Sequence, residues 1–256
     1  MSSLHISIAA EPVFHIFGVP ISNSILTSWI ISVLLVIFVV TLSSNLKLKG
    51  KLGKAQLMME LMVESLYNLV ESIAGTAKTK LFFPLVATFF FFIVPSNWSG
   101  LLPGAGSIGF NTLIEGKEMY VPILRGPTAD INTALALSLI AMFMVQYYGF
   151  KFLGLGYLKK FFNFSNPINA FVGILELVSE LSKIISFTFR LFGNIFAGEV
   201  LISVMTFLIP IGLPMPFYGL ELFVGVIQGL VFLMLSTVFM SNATVGHDAE
   251  SHASHA

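Results

Sequence analysis

Between Pro167 and Pro210 the chain reads INAFVGILELVSELSKIISFTFRLFGNIFAGEVLISVMTFLI (residues 168–209), 42 residues without a proline. As one helix at 1.5 Å per residue this stretch is roughly 63 Å long, far more than an upright crossing of a roughly 30 Å hydrocarbon layer needs. It is either two spans joined by a tight hairpin or one helix lying strongly tilted. A hairpin inside the membrane needs a polar turn, and Gly193-Asn194 is the one candidate. A second span would also leave the tail on the wrong side, so one long tilted helix over 168–209 is the expectation.

Arg190 sits near the middle of that helix and is one of two arginines in the chain. A central arginine costs about 2.5–3.5 kcal/mol on insertion scales, and this one is too far from either end to snorkel. No acid lies within one helical turn of it. The bland account is an arginine paired with an acid elsewhere in the bundle. The sharper one is a fixed cation, never deprotonated in practice, aimed at a mobile carboxylate.

Composition sets the context. Of the 256 residues, 56% are hydrophobic and 10% charged, with 13 basic and 13 acidic side chains and a mean hydropathy of +0.91. Soluble domains carry roughly a quarter charged residues, so most of this surface faces lipid. Zero net charge gives no global field for nucleic acid. The absence of cysteine excludes disulfides, thiolate metal sites, iron–sulfur ligation and a cysteine nucleophile. His5, His15, His247, His252 and His255 all lie near the termini, which disfavours haem and copper. The histidines of the tail read as a disordered end before a metal site. No cofactor is expected.

The remaining chain divides into spans. Residues 1–24 read as a retained external N-terminus, since they lack a basic n-region and a small-residue cleavage site. Residues 25–42 are a first span, followed by Lys47, Lys49, Lys51 and Lys54, a positive-inside signal that puts this loop in the cytoplasm. Residues 55–77 form an amphipathic helix with Glu60, Glu64 and Glu71 on one face, suited to the interface. A span over 81–102 leads to a Gly/Pro-rich external loop, 103–127. A third span over 129–150 returns to Lys151, Lys159 and Lys160. After the long helix, a short external turn precedes a last helix over 217–240 and a cytoplasmic tail, 241–256. The fold class is therefore an all-α polytopic membrane protein of about five membrane helices plus an interfacial amphipathic helix. The N-terminus is expected outside and the C-terminus in the cytoplasm.

Helical spacing arranges the polar residues around Arg190. At about 100° per residue, Lys183, Asn194 and Ala197 share its face. Glu176 lies about 40° away and roughly 21 Å along the axis, whereas Glu199 lies on the opposite face roughly 13 Å the other way. On the last helix Glu221 and Gln228 share a face that antiparallel packing would bring near Glu199, and Ser203 could extend that polar track. Each has a plainer account. Glu176, Glu180 and Lys183 also fit an ion-paired helix end. Asp130 also fits a helix cap, and Gln228 a bond to a neighbour. Glu199 and Glu221 stand in otherwise uncharged stretches, where an ion pathway is the default reading. Acids on both sides of a central cation make poor sense as one channel. They make better sense as two half-pathways that hand the ion to a moving partner along an exposed helix face.

The stretch from Ser186 to Glu199, SFTFRLFGNIFAGE, resembles the signature of subunit a of F-type rotary ATP synthases. Similar to that family too are Asn166-Pro167 with Glu176 and Lys183, Pro127-Thr-Ala-Asp130-Ile-Asn132, Asn97 ahead of Leu101-Leu102-Pro103, and Glu221 seven residues before Gln228. His15-Ile-Phe-Gly-Val-Pro20-Ile and Trp29 fit its N-terminal region, so the likeness runs from about residue 11 to 242 in the family's order.

The resemblance implies a long tilted helix pair facing a ring of c subunits. Protons would enter an outer half-channel past Asn97, Asp130, Asn132, Glu199, Ser203, Glu221 and Gln228 and protonate a ring carboxylate. After nearly a full turn that carboxylate would meet Arg190 and Asn194 and release its proton toward Glu176 and Lys183. The implied partners are the c-ring, the peripheral-stalk b subunits, lipid and, indirectly, the soluble sector that makes ATP. The chain itself has no Gly-rich phosphate loop and is expected to be non-catalytic, in a bacterial cell membrane. Many relatives oppose a histidine to an acid on the last two helices, whereas Glu199 and Glu221 are both acids. Two carboxylates that close are not both ionised in a dry site, which leaves proton against sodium open. A secondary transporter would need repeats or broken helices around a central site, and the two halves show no repeat. A structural anchor would have no use for Arg190.

Overall fold

The computed structural model describes residues 12–16, 19–44, 53–102, 109–114, 117–122, 124–161, 166–209 and 212–245. Among these residues six α-helices carry the fold: α1 (Asn23–Ser44), α2 (Lys54–Ala74), α3 (Thr76–Ser99), α4 (Ile131–Leu153), α5 (Pro167–Leu208) and α6 (Pro214–Ala243). Among the described residues, five helical segments are long and apolar enough to cross a membrane: α1, α3, α4 with the 3-10 stretch that continues it, α5 and α6. The chain is an all-α polytopic membrane protein, as its apolar runs predict.

The ends of the helices follow local chemistry that hydropathy does not weigh. α1 begins at Asn23, whose side chain accepts from the Ser24 amide at 2.9 Å. α2 stops at Ala74 and α3 starts at Thr76, because Gly75 takes φ 76° and ψ 158°, a backbone region open to glycine. The expected span over 81–102 therefore starts five residues earlier, taking in Lys78 and Lys80, and ends at Ser99. Lys47, Lys49 and Lys51 lie outside the described residues, as do the tail histidines.

Two antiparallel hairpins interrupt the loops: β1 (Pro12–Ile16) with β2 (Val19–Ser22), and β3 (Gly109–Ile114) with β4 (Lys117–Pro122). They fall in the expected external N-terminus and external loop, for which the sequence indicated no strands. After β4 a 3-10 turn, Pro127–Ala129, leads to Asp130 and α4. Beyond α4 a 3-10 stretch, Gly154–Lys160, folds back so that the Tyr157 ring covers Gly149, where a Cβ would come within 2.6 Å of it.

α5 is one unbroken helix of 42 residues, with no turn at Gly193-Asn194. α3 and α6 form the centre of the bundle. One apolar cluster joins Leu66 and Val70 of α2 to Phe82, Val86 and Phe90 of α3 and Leu233 and Met240 of α6. A second joins Phe89 and Ile93 of α3, Ala134 and Ala141 of α4, Phe187 and Leu191 of α5 and Phe232 of α6. α2 thus packs one apolar edge on the bundle while Glu60 and Glu64 stay exposed. α1 attaches mainly through its first turns, and beyond Ile31 residues such as Val33, Val36 and Val40 remain exposed.

Candidate functional site

Arg190 projects from the exposed face of α5. Its Nη2 donates to Ser186 Oγ at 3.4 Å and its guanidinium lies 6.0 Å from the Phe187 ring. Among the described residues no carboxylate lies within ion-pair distance of it. The exposed face runs through Leu175, Ser179, Ser182, Ser186, Arg190, Asn194 and Ala197, three or four residues apart. That spacing is one helix stripe, small or apolar except at the arginine and amide.

One turn on, Asn194 Nδ2 donates to Gln228 Oε1 at 2.9 Å and ties α5 to α6. Gln228 is buried, and its Nε2 has no partner among the described residues. Glu199 points away from Arg190, as helical geometry predicts. Its Oε1 sits where a Cβ on Gly100 or on Gly126 would approach within 3.3 Å, so the carboxylate lies between the end of α3 and the segment before α4. Arg125 and Glu221 are the charged groups whose fields reach it. Glu221 is 6% exposed, and its carboxyl packs directly on Gly198, where any Cβ would overlap it. The two acids are thereby neighbours across the α5–α6 contact.

Asn97, 3% exposed, is the hub of this end. Its Nδ2 donates to the Gly225 carbonyl at 3.0 Å and its Oδ1 accepts from Thr128 Oγ1 at 2.6 Å. Trp98 Nε1 adds a bond to the Leu222 carbonyl at 3.0 Å. Sequence reasoning missed Thr128, Trp98 and the three glycines, because each acts through a partner far along the chain.

Three polar residues are engaged locally. Asp130 caps α4, accepting from the Asn132 amide at 3.1 Å and from Asn132 Nδ2 at 3.3 Å. Ser203 Oγ donates to the Glu199 carbonyl at 2.7 Å, so its proton is committed to the helix backbone while its oxygen can still accept.

The other end of α5 differs. Lys183 was expected on the Arg190 face, but it lies half-buried and reaches back to Glu180 Oε1 at 2.8 Å. A helix drifts about 20° per heptad, and the long lysine stem spans the remainder. Glu176 pairs with Lys160 at 2.6 Å, and Lys160 also lies 3.7 Å from Glu180. Gln146 Nε2 donates to Glu180 Oε2 at 3.0 Å, and Tyr157 OH donates to Gln146 Oε1 at 2.8 Å. Gln146, Tyr157 and Lys160 were not legible as members of this cluster, since the 3-10 stretch that carries two of them gives no periodic signal. No group of three metal-ligating side chains occurs among the described residues.

The same chain resembles known proteins along most of its length. The sequence profile described as ATP synthase A chain matches residues 25–241. ATP synthase subunit a of Moorella thermoacetica is 33% identical over 238 residues, which cover 92% of this chain and 96% of that relative. The profile match takes in all five apolar helical segments but the first two residues of α1 and the last two of α6, and both polar clusters of α5, and on that extent the chain belongs to the ATP synthase A chain family.

Proposed function

We propose that the chain is the ion-conducting stator of a rotary ATP synthase. The observation that carries this reading is Arg190, an exposed guanidinium with no carboxylate in ion-pair reach among the described residues, on a helix stripe that carries no other charge. A guanidinium facing hydrocarbon is costly, so that stripe is completed by a partner bringing an acid. A c-ring with one carboxylate per subunit supplies it.

Protons reach the ring through the cluster of Asn97, Glu199, Glu221 and Gln228, with Asp130 and Asn132 shaping its rim. Buried donors such as Gln228 Nε2 and Ser96 Oγ, without partners among the described residues, suit a path for hydrated protons. They leave past Glu176 and Lys183. Arg190 favours the deprotonated ring carboxylate by its charge and separates the two half-channels, so protons cross only by riding the ring. Asn194 holds Gln228 beside that point. ATP is made in the soluble sector, with the peripheral-stalk b subunits holding this chain against rotation. The Lys151–Lys160 end of the bundle lies in the cytoplasm of a bacterial cell, and the N-terminus outside.

The test is reconstitution with a c-ring and soluble sector. Arg190→Ala is expected to abolish ATP synthesis under an imposed proton gradient. ATP synthesis at the wild-type rate would sink the proposal, and proton conduction by this chain without the ring would instead favour a channel or transporter.

A further inference from the structure

Gly100 and Gly126 stand in the structure for a reason other than backbone conformation. Gly100 has φ −69° and ψ −22° and Gly126 has φ −53° and ψ 119°, values open to most residues. What both lack is room. A Cβ on Gly100 would meet Glu199 Oε1 at 3.3 Å and the Gly126 Cα at 3.4 Å. A Cβ on Gly126 would meet the same carboxylate oxygen at 3.3 Å and the Gly100 Cα at 3.6 Å. Two backbones from separate elements approach each other, and the Glu199 carboxylate occupies the gap.

Hydrogen bonds set the width of that gap from both sides. Three residues before Gly100, Asn97 Oδ1 accepts from Thr128 Oγ1 at 2.6 Å, and Thr128 lies two residues after Gly126. On the other flank the Arg125 amide donates to Thr27 Oγ1 at 3.3 Å, and Asn23 Nδ2 donates to the Pro122 carbonyl at 3.2 Å. Asn23 and Thr27 are both nearly inaccessible. The first turns of α1, the end of α3 and the segment before α4 thus form one polar clamp around Glu199.

We infer that Gly100 and Gly126 form a slot that positions the Glu199 carboxylate for proton transfer at the outer half-channel, and that Thr128 and Thr27 set its width. The inference rests on the stator reading above. The slot lets a carboxylate enter between two backbones with no side chain to deflect it, close to Glu221 on α6 and Arg125 on its own flank, the charged groups whose fields reach it. Neither glycine touches the ring-facing stripe. They are positioning residues that act through Glu199.

The experiment uses the complete ATP synthase in membrane vesicles and compares Gly126→Ala with Gly156→Ala, since a Cβ on Gly156 would meet no atom within 4 Å. Gly126→Ala is expected to slow proton-driven ATP synthesis about tenfold, the rate equivalent of a small overpacking penalty. The loss should steepen as external pH rises and entering protons become scarce. Glu199→Asp is one methylene shorter, so the double variant Gly126→Ala/Glu199→Asp should be faster than the product of the two single effects. A slot of merely structural value would show no such relief. Thr128→Val should reproduce the loss with full assembly and Thr128→Ser should restore the rate, which keeps the test decisive if Gly126→Ala does not assemble. Equal rates for Gly126→Ala and Gly156→Ala would overturn the inference, as would loss without relief by Glu199→Asp. If Arg190→Ala leaves synthesis intact, the stator reading has failed instead.

Discussion

The two ends of α5 hold acids in opposite ways. Near Gly154–Lys160, Glu176 and Glu180 each lie within 4 Å of a lysine, and Gln146 and Tyr157 complete a network in which two acids balance two bases. Near Pro127–Ala129, Glu199 and Glu221 are held by shape: one between two glycines, the other on Gly198, beside backbone-directed hydrogen bonds from the Asn97 amide and the Trp98 indole. Balanced ion pairs spread the cost of charge over several partners and tolerate the loss of one. Steric seats fix a single atom and tolerate little. The same helix therefore carries a forgiving end and an exacting one, with Arg190 between them.

Substitutions can break this contrast in order of effect. Arg190→Ala removes the centre and should eliminate coupled ATP synthesis altogether, read in reconstituted vesicles. Gly198→Ala comes next, because its Cβ overlaps the Glu221 carboxyl. It should cost about 1–3 kcal/mol through overpacking, seen as a lower melting temperature of the detergent-solubilised complex together with slower proton uptake. Wild-type values in both would mean that Glu221 has freedom the packing denies. Asn97→Ala leaves Thr128 and the Gly225 carbonyl without their partner and should cost about 1–3 kcal/mol, with faster amide exchange around Thr128 as its local signature. Lys160→Met, at the forgiving end, should change stability by less than about 1 kcal/mol, because the Glu176 side chain it leaves behind is 26% exposed and Lys183 still neutralises Glu180. A larger loss there would erase the distinction between the two ends.

Much of the fold is legible in the sequence. Apolar run lengths located the spans, and the lack of proline between Pro167 and Pro210 indicated a single long α5. Boundaries were less so: Gly75 splits α2 from α3 by its own dihedral, a property that average hydropathy over the Lys78–Lys80 region obscures. The hairpins β1–β2 and β3–β4 were missed because strands of four to six residues are too short to show a clear alternating pattern. In the site, Arg190, Glu199, Glu221 and Gln228 stood out as polar groups in apolar surroundings. Asp130 and Asn132 instead satisfy each other at the start of α4, and Ser203 commits its hydroxyl proton to the backbone.

What the sequence alone determined is the one-dimensional physics: which segments lipid will accept, and which charges lie where lipid should exclude them. Those follow from residue type and run length, because the cost of a charge in hydrocarbon is set first by its type and depth, whichever partner later offsets it. Only the tertiary structure decided which acid meets a lysine and which meets a glycine. Thr128 meets Asn97 across 31 positions, and Glu221 meets Gly198 through the α5–α6 packing. Contacts of a few ångströms depend on where two backbones cross, and nothing local to either segment encodes that crossing.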